Sequence, residues 1–154
     1  MRRKDREMNE NFALSVADKC EWAVLSMITP DGKPYGLALN IVRDGNKIYF
    51  HSAKMGKKVD CLKANPYGSF FCTGDTKLVP EEFTTLFESA VICGKLTEVT
   101  EDEEKIHALK LICEKYALSN MANFDDAIKR SLKVTGVWKM DIESATGKLK
   151  APKE

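Results

Sequence analysis

Between Trp22 and Ser52 three apolar runs, WAVLSMI, PYGLALNIV and KIYFHS, alternate with two turn sequences, TPDGK and RDGNK. Pro-Asp-Gly and Asp-Gly-Asn provide the backbone angles that tight reversals need, and runs rich in branched and aromatic residues suit a pleated, half-buried surface. So short a reversal can join only antiparallel neighbours, since a parallel pair needs a crossover of a dozen or more residues. The pattern predicts three sequential strands in an antiparallel meander. YGSFFCT and TLFESAVICGKL add two strands. In KVTGVWKMDI, Val134, Gly136, Trp138, Met140 and Ile142 alternate with their neighbours as a last strand would.

Four helical segments interrupt this series. Phe12, Val16 and Cys20 fall four apart over 9–19, the spacing of one helical face. Val59 and Leu62, with Cys61 beside them, share a face over 55–64, and Asn65-Pro66 stops that helix. Thr100 and Glu103 have the spacing of a capping box. They open a helix that carries Ile106, Leu109, Ile112, Cys113 and Tyr116 at three- and four-residue steps, and a shorter helix is expected over 125–131. No repeat or linker divides residues 1–154, so a single domain is expected. Strands interrupted by helices suit a mainly β (α+β) fold, a six-stranded antiparallel split β-barrel with flanking helices.

Composition removes several function classes. The net charge of +1 and the 8% aromatic content supply no basic stripe with interleaved aromatics, so no nucleic-acid partner is expected. The longest apolar runs, such as 22–25, are far too short to cross a membrane, and no apolar stretch follows MRRKDREM. No membrane partner is expected, and cytoplasm is the expected location. Five cysteines without a CxxC pair argue against a disulfide framework or a structural zinc site, and each is expected to pack as a small hydrophobe. His51 and His107 lie far apart with no companion at ligand spacing, so no metal site is expected.

The stretch that carries chemistry is YFHSAKMGKKVDCLKANP, 49–66. A strand ends at His51-Ser52, a loop passes Gly56, and a helix starts near Lys57-Lys58. A helix N-terminus offers unpaired N–H groups and the positive end of the helix dipole. Two lysines and the Ser52 hydroxyl add charge and a donor, as a phosphate monoester requires. The alternative is a solvated helix start. Cations there oppose the dipole by about 0.3–1 kcal/mol each, which leaves room for an anionic ligand.

This strand–loop–helix resembles the segment that binds the flavin phosphate in pyridoxamine 5′-phosphate oxidase and its relatives. With MRRKDREM, DGKPYGLALN, FTTLFESAVICGK and IESATGK around it, the likeness spans roughly residues 1–148. It points to the nitroimidazole-resistance branch of the FMN-binding split-barrel family. The resemblance implies FMN as cofactor, gripped at its phosphate by Lys57 and Lys58, with Ser52 donating to it. It sets His51 and Ala53 beside the ribityl chain and ring edge, and gives Leu37, Ala38, Leu39 and Asn40 to the strand whose backbone meets the isoalloxazine ring. Glu88 and Ser89 belong to a neighbouring strand that closes the pocket.

It further implies that His51 matches a residue with a reactive role, against the alternative that it only packs on the flavin. Trp138 either covers the flavin across a dimer interface or packs in the core, as alternating strand aromatics more often do. A homodimer is expected, because a ring bound outside so small a barrel needs a cover and Leu37, Leu39, Phe87 and Val91 put apolar residues on both sheet faces. The oxidases hold their phosphorylated substrate with further basic residues in a C-terminal segment, whereas this sequence ends in KLKAPKE soon after the last strand, so that oxidation is not the expected activity. The expected activity is an oxidoreductase acting on a small-molecule electrophile such as a nitroaromatic. A non-catalytic flavin or haem binder is the alternative.

Overall fold

The computed structural model describes residues 2–152. A two-residue strand β1 (Glu7–Met8) precedes helix α1 (Glu10–Lys19). Asn9 caps α1, its side-chain oxygen accepting from the Phe12 N–H at 2.9 Å, and the buried Ala13, Val16 and Ala17 form one face. Strands β2 (Ala23–Ile28) and β3 (Pro34–Leu39) then pair as a hairpin. In its turn Gly32 takes φ 82° and the Thr29 and Lys33 backbones bond at 2.8 Å. A second hairpin joins β4 (Val42–Asp44) to β5 (Lys47–Ala53). Helix α2 (Lys57–Ala64) follows, stopping at Asn65 before Pro66 as expected. The long hairpin β6 (Tyr67–Val79) and β7 (Thr84–Glu98), helices α3 (Asp102–Tyr116) and α4 (Phe124–Ser131), and β8 (Thr135–Lys150) complete the chain.

All pairings are antiparallel, in the order β3-β2-β6-β7-β8-β5-β4, with β1 added to β8. The sheet curls around one interior without closing, because β3 and β4 are both edges. This is the expected split barrel with eight strands in place of six. Two differences are instructive. The run PYGLALNIV is two strands, broken at Asn40-Ile41, and the expected three-strand meander is not formed. β3 pairs only with β2, whereas β5 crosses to pair with β8. The cause is tertiary. The Tyr116 hydroxyl accepts from the Ile41 N–H at 3.1 Å and donates to the Ile41 carbonyl at 2.8 Å, and Lys115 donates to that carbonyl at 3.0 Å. The end of α3 thereby turns the chain away from β2. Nor does Thr100 cap α3: Glu101 holds the cap position without a side-chain bond, and the Thr100 hydroxyl points to Glu101 instead.

The interior is packed by Leu25, Ile41, Ile48, Phe50, Phe70, Ile92, Leu96 and Met140, with Phe50 and Phe70 edge-to-face at 5.9 Å. Full burial of each such side chain contributes about 1.5–3 kcal/mol. A second cluster, Val42, Tyr49, Val99, Ala108, Ile112 and Val137, seats α3 on the outside of β4, β5 and β8. Glu104 ties this layer down, accepting from Tyr49 at 2.9 Å and from Lys139 at 2.8 Å.

Candidate functional site

β5 is buried through Ile48, Tyr49 and Phe50 and emerges at His51, Ser52 and Ala53. The chain then reverses through Gly56, whose φ of 125° is open to glycine and strained for any other residue. Val59, Cys61 and Leu62 face the interior and fix the roll of α2. Its first two residues are thereby held across the split. Lys57 Nζ lies 4.5 Å from the Tyr35 ring centroid on β3, and Lys58 Nζ lies 5.4 Å from that of Phe50 on β5. Gly56 offers no side-chain cap, so the first-turn N–H groups of α2 have no side-chain acceptor.

Electrostatics follow from this placement. Among the described residues, neither Lys57 nor Lys58 forms an ion pair. Burial lowers the pKa of Lys58. A partly desolvated ammonium without a carboxylate is costly unless an anion joins it. Burial first, and then the Lys58 charge, hold the His51 imidazole below its ordinary pKa. The Ser52 hydroxyl donates to the Ala53 carbonyl at 2.7 Å, so it must turn before serving a ligand.

Beside this corner runs β3. Leu37 and Leu39 turn inward against the core, while Ala38 and Asn40 are exposed. Asn40 Nδ2 donates to the Glu21 carbonyl at 2.9 Å. Because β3 is an edge, alternate residues present backbone N–H and C=O groups to the open side. A cleft of about 550 Å³ adjoins Tyr35 on the outer face, lined also by Ser26, Ile28, Gly36, Tyr67 and Ser69. Tyr35 was not among the residues singled out in the sequence. Nothing in Pro-Tyr-Gly announces that a lysine 22 positions away will lie over its ring.

The other expected residues lie elsewhere. Ser52 is paired with Gly136 on β8, but Ser89 is paired with Lys148, twelve residues further along, roughly 40 Å of strand at about 3.3 Å per residue. The Glu88 carboxylate is held by Lys19 and accepts from the Asp75 N–H at 3.1 Å. Within one chain, therefore, Glu88 and Ser89 do not meet the lysines. Trp138 is only 4% exposed and belongs to the interior cluster. It packs inside the barrel, the second of the two readings that the sequence allowed for this residue. His107 has a companion after all, Asp44, at 2.8 Å across the α3–β4 contact. No helix among the described residues is long and apolar enough to cross a membrane.

Comparison with known proteins agrees with this architecture. Residues 13–149 match the family model described as pyridoxamine 5′-phosphate oxidase. Among curated proteins no relative matches. Among solved structures, a protein from Bacteroides thetaiotaomicron described in connection with 5-nitroimidazole antibiotic resistance superposes with a TM-score of 0.77 at 24% identity, covering 92% of this chain and 85% of that one. An FAD and haem binding protein from Mycobacterium smegmatis gives 0.78 at 16% identity over 96% and 74%. An FAD-binding protein from Mesorhizobium loti gives 0.67 at 18% identity over 95% and 98%. At these identities the likeness shows the fold, and the family match over nearly the whole length shows more: the chain belongs to the pyridoxamine 5′-phosphate oxidase-like split-barrel family.

Proposed function

We propose that this protein binds FMN at a homodimer interface and works as an oxidoreductase on a small electrophile such as a nitroaromatic. The observation that carries the reading is the pair Lys57 and Lys58, neither in an ion pair among the described residues, although Lys57 acts at longer range on Asp31, and both set at an uncapped helix start. A phosphate monoester would satisfy both at once, through charge-assisted bonds and first-turn N–H groups. The open edge of β3 from Leu37 to Leu39, with Asn40 just beyond its end, would hydrogen-bond the ring, with Ala53 beside the ribityl chain. FMN, when bound, supplies the electron and hydride transfer. The chain's own part is to hold the phosphate, fix the ring against the β3 edge, and keep His51 neutral beside it.

The dimer follows from the distribution of the remaining residues. Glu88 and Ser89 lie on β7, level with a part of β8 far from the lysines of their own chain, so in this reading a second copy brings them to the pocket. Val24, Phe71 and Val91 stand side by side across β2, β6 and β7 on the outer face, with Phe71 and Val91 exposed. Such a patch is suited to a partner surface. The purified protein, mixed with FMN or with haemin and then desalted, tests the reading. Retained flavin absorbance supports it. Retention of haem alone turns the function to haem binding.

A further inference from the structure

At the far end of the long hairpin the sheet thins to two strands. β6 is paired with β2 only over residues 69–72, and β7 with β8 only from Phe87 onward. Beyond those limits residues 77–79 and 84–86 pair with each other alone, an arm turned by one 3-10 turn over Pro80–Glu82. A two-stranded ribbon is marginal by itself. This one also exposes its apolar side chains, Leu78 at 74% and Phe83 at 98%. Phe83 takes φ 48°, the one positive φ of a non-glycine residue among those described, and a strained one for so bulky a side chain. Leu78, Pro80, Phe83 and Phe87 wall a cleft of about 690 Å³, which Arg6 and Lys150 help to complete. Arg6 is engaged by Asp5 and Lys150 by Thr84. At the tip Glu81 and Glu82 are exposed and, among the described residues, join no ion pair. The opposite end of β8 carries a counterpart. Ala53 is paired with Thr135 at its start, whereas Phe87 is paired with Lys150 at its end. After Ala53 the loop projects Met55, 85% exposed, beside an exposed Lys54 that joins no ion pair either.

We propose that in the dimer the arm of each copy clasps the loop 54–56 of the other, with Met55 entering the cleft under Phe83 and the carboxylates of Glu81 and Glu82 facing Lys54. The inference rests on the shared-site dimer proposed above. There a second copy brings Glu88 to the lysine corner, and Phe83 precedes Glu88 by five residues, about 17 Å at about 3.3 Å per residue, so the arm comes within reach of the loop. An apolar cleft beside two carboxylates stands at one end of the chain and an apolar knob beside a cation at the other. One two-fold operation joins both pairs at once, so the assembly closes at two copies. A flexible thioether gains from lying against an aromatic ring, which suits Met55 to Phe83. The clasp holds the loop immediately before Lys57 and Lys58 and so steadies the grip on the phosphate.

The test is sedimentation equilibrium of the full chain without flavin, with FMN retention measured separately. Phe83 lies outside the core and glycine relieves the strain at φ 48°, so Phe83→Gly should fold as the wild type does, by circular dichroism. Its dimer dissociation constant should nevertheless rise by about tenfold or more, the scale of removing an interface aromatic. Glu81→Lys with Glu82→Lys should also weaken the dimer, and adding Lys54→Glu should recover part of that loss. In a mixture of unlabelled and isotope-labelled wild type, a zero-length carbodiimide cross-link should join Glu81 or Glu82 of one copy to Lys54 of the other. The proposal is overturned if the dissociation constant ignores Phe83→Gly and the charge variants, if Lys54→Glu deepens the loss, or if the cross-link forms only within one chain. A dimer that ignores these variants and retains FMN removes the clasp and leaves the flavin reading standing. A dimer that they weaken and that retains no flavin keeps the clasp and removes that reading. A monomeric wild type overturns both the clasp and the shared site.

Discussion

Burial lowers the pKa of the Lys58 ammonium, although the Phe50 ring face beside it favours the charged form, and this has a measurable consequence. A phosphate dianion stabilises the charged form, so binding takes up a proton wherever free Lys58 has lost one. FMN affinity should therefore fall as pH rises through the lowered Lys58 pKa, before the ordinary lysine range near about 10.4. Lys58→Arg keeps its charge past about pH 12 and should hold its affinity where the wild type declines, as read by flavin fluorescence between about pH 8 and 11. Equal declines would remove Lys58 from the site. His51 stands beside it with a depressed pKa and, among the described residues, no hydrogen-bond partner for its side chain, an arrangement suited to packing. With prereduced FMN bound anaerobically, His51→Ala should weaken binding slightly and leave nitroaromatic reduction almost unchanged. A loss of about a hundredfold or more would assign it acid–base work. That both lysines stand at a helix start after Gly56 was legible in the sequence. Tyr35 was not, because its ring meets Lys57 only through the packing of α2.

The strand–loop–helix depends on Gly56 more than on any side chain. At φ 125° an alanine is strained by about 1–3 kcal/mol, although space for its Cβ is open. Gly56→Ala should lower Tm by roughly 2–12 °C, or relax the loop and cut FMN affinity while Tm holds. If thermal melting and flavin titration both match the wild type, the loop does not set the site. At this scale the sequence was informative wherever turn chemistry was local, as in the two hairpins and the Asn65-Pro66 stop. It misled at Asn40-Ile41. Apolar residues continue there without Gly or Pro, and the break is imposed by Tyr116, 75 positions away. The spacing of Thr100 and Glu103 likewise suggested a cap that the chain does not form.

Which strands become neighbours is a property of the whole molecule, and here the sequence said least. Runs of similar apolar character could pair in several orders, and only the closed packing of the interior selects β5 against β8. The same order separates Ser52 from Ser89 along β8, and in the proposed shared site it divides the pocket between two chains. Light scattering should accordingly give twice the mass of one chain at micromolar concentration. Phe71→Asp with Val91→Asp should shift it toward monomer and weaken FMN together, whereas a monomeric wild type would end the shared-site account. The central claim, a phosphate held by Lys57 and Lys58, is tested most directly by calorimetric titration of the wild type and the Lys57→Ala/Lys58→Ala variant with FMN and with riboflavin. The account predicts that FMN binds the wild type at least tenfold more tightly than riboflavin does, a difference of about 1.4 kcal/mol, and that the variant loses this preference. Equal affinities of the wild type for the two flavins would contradict it.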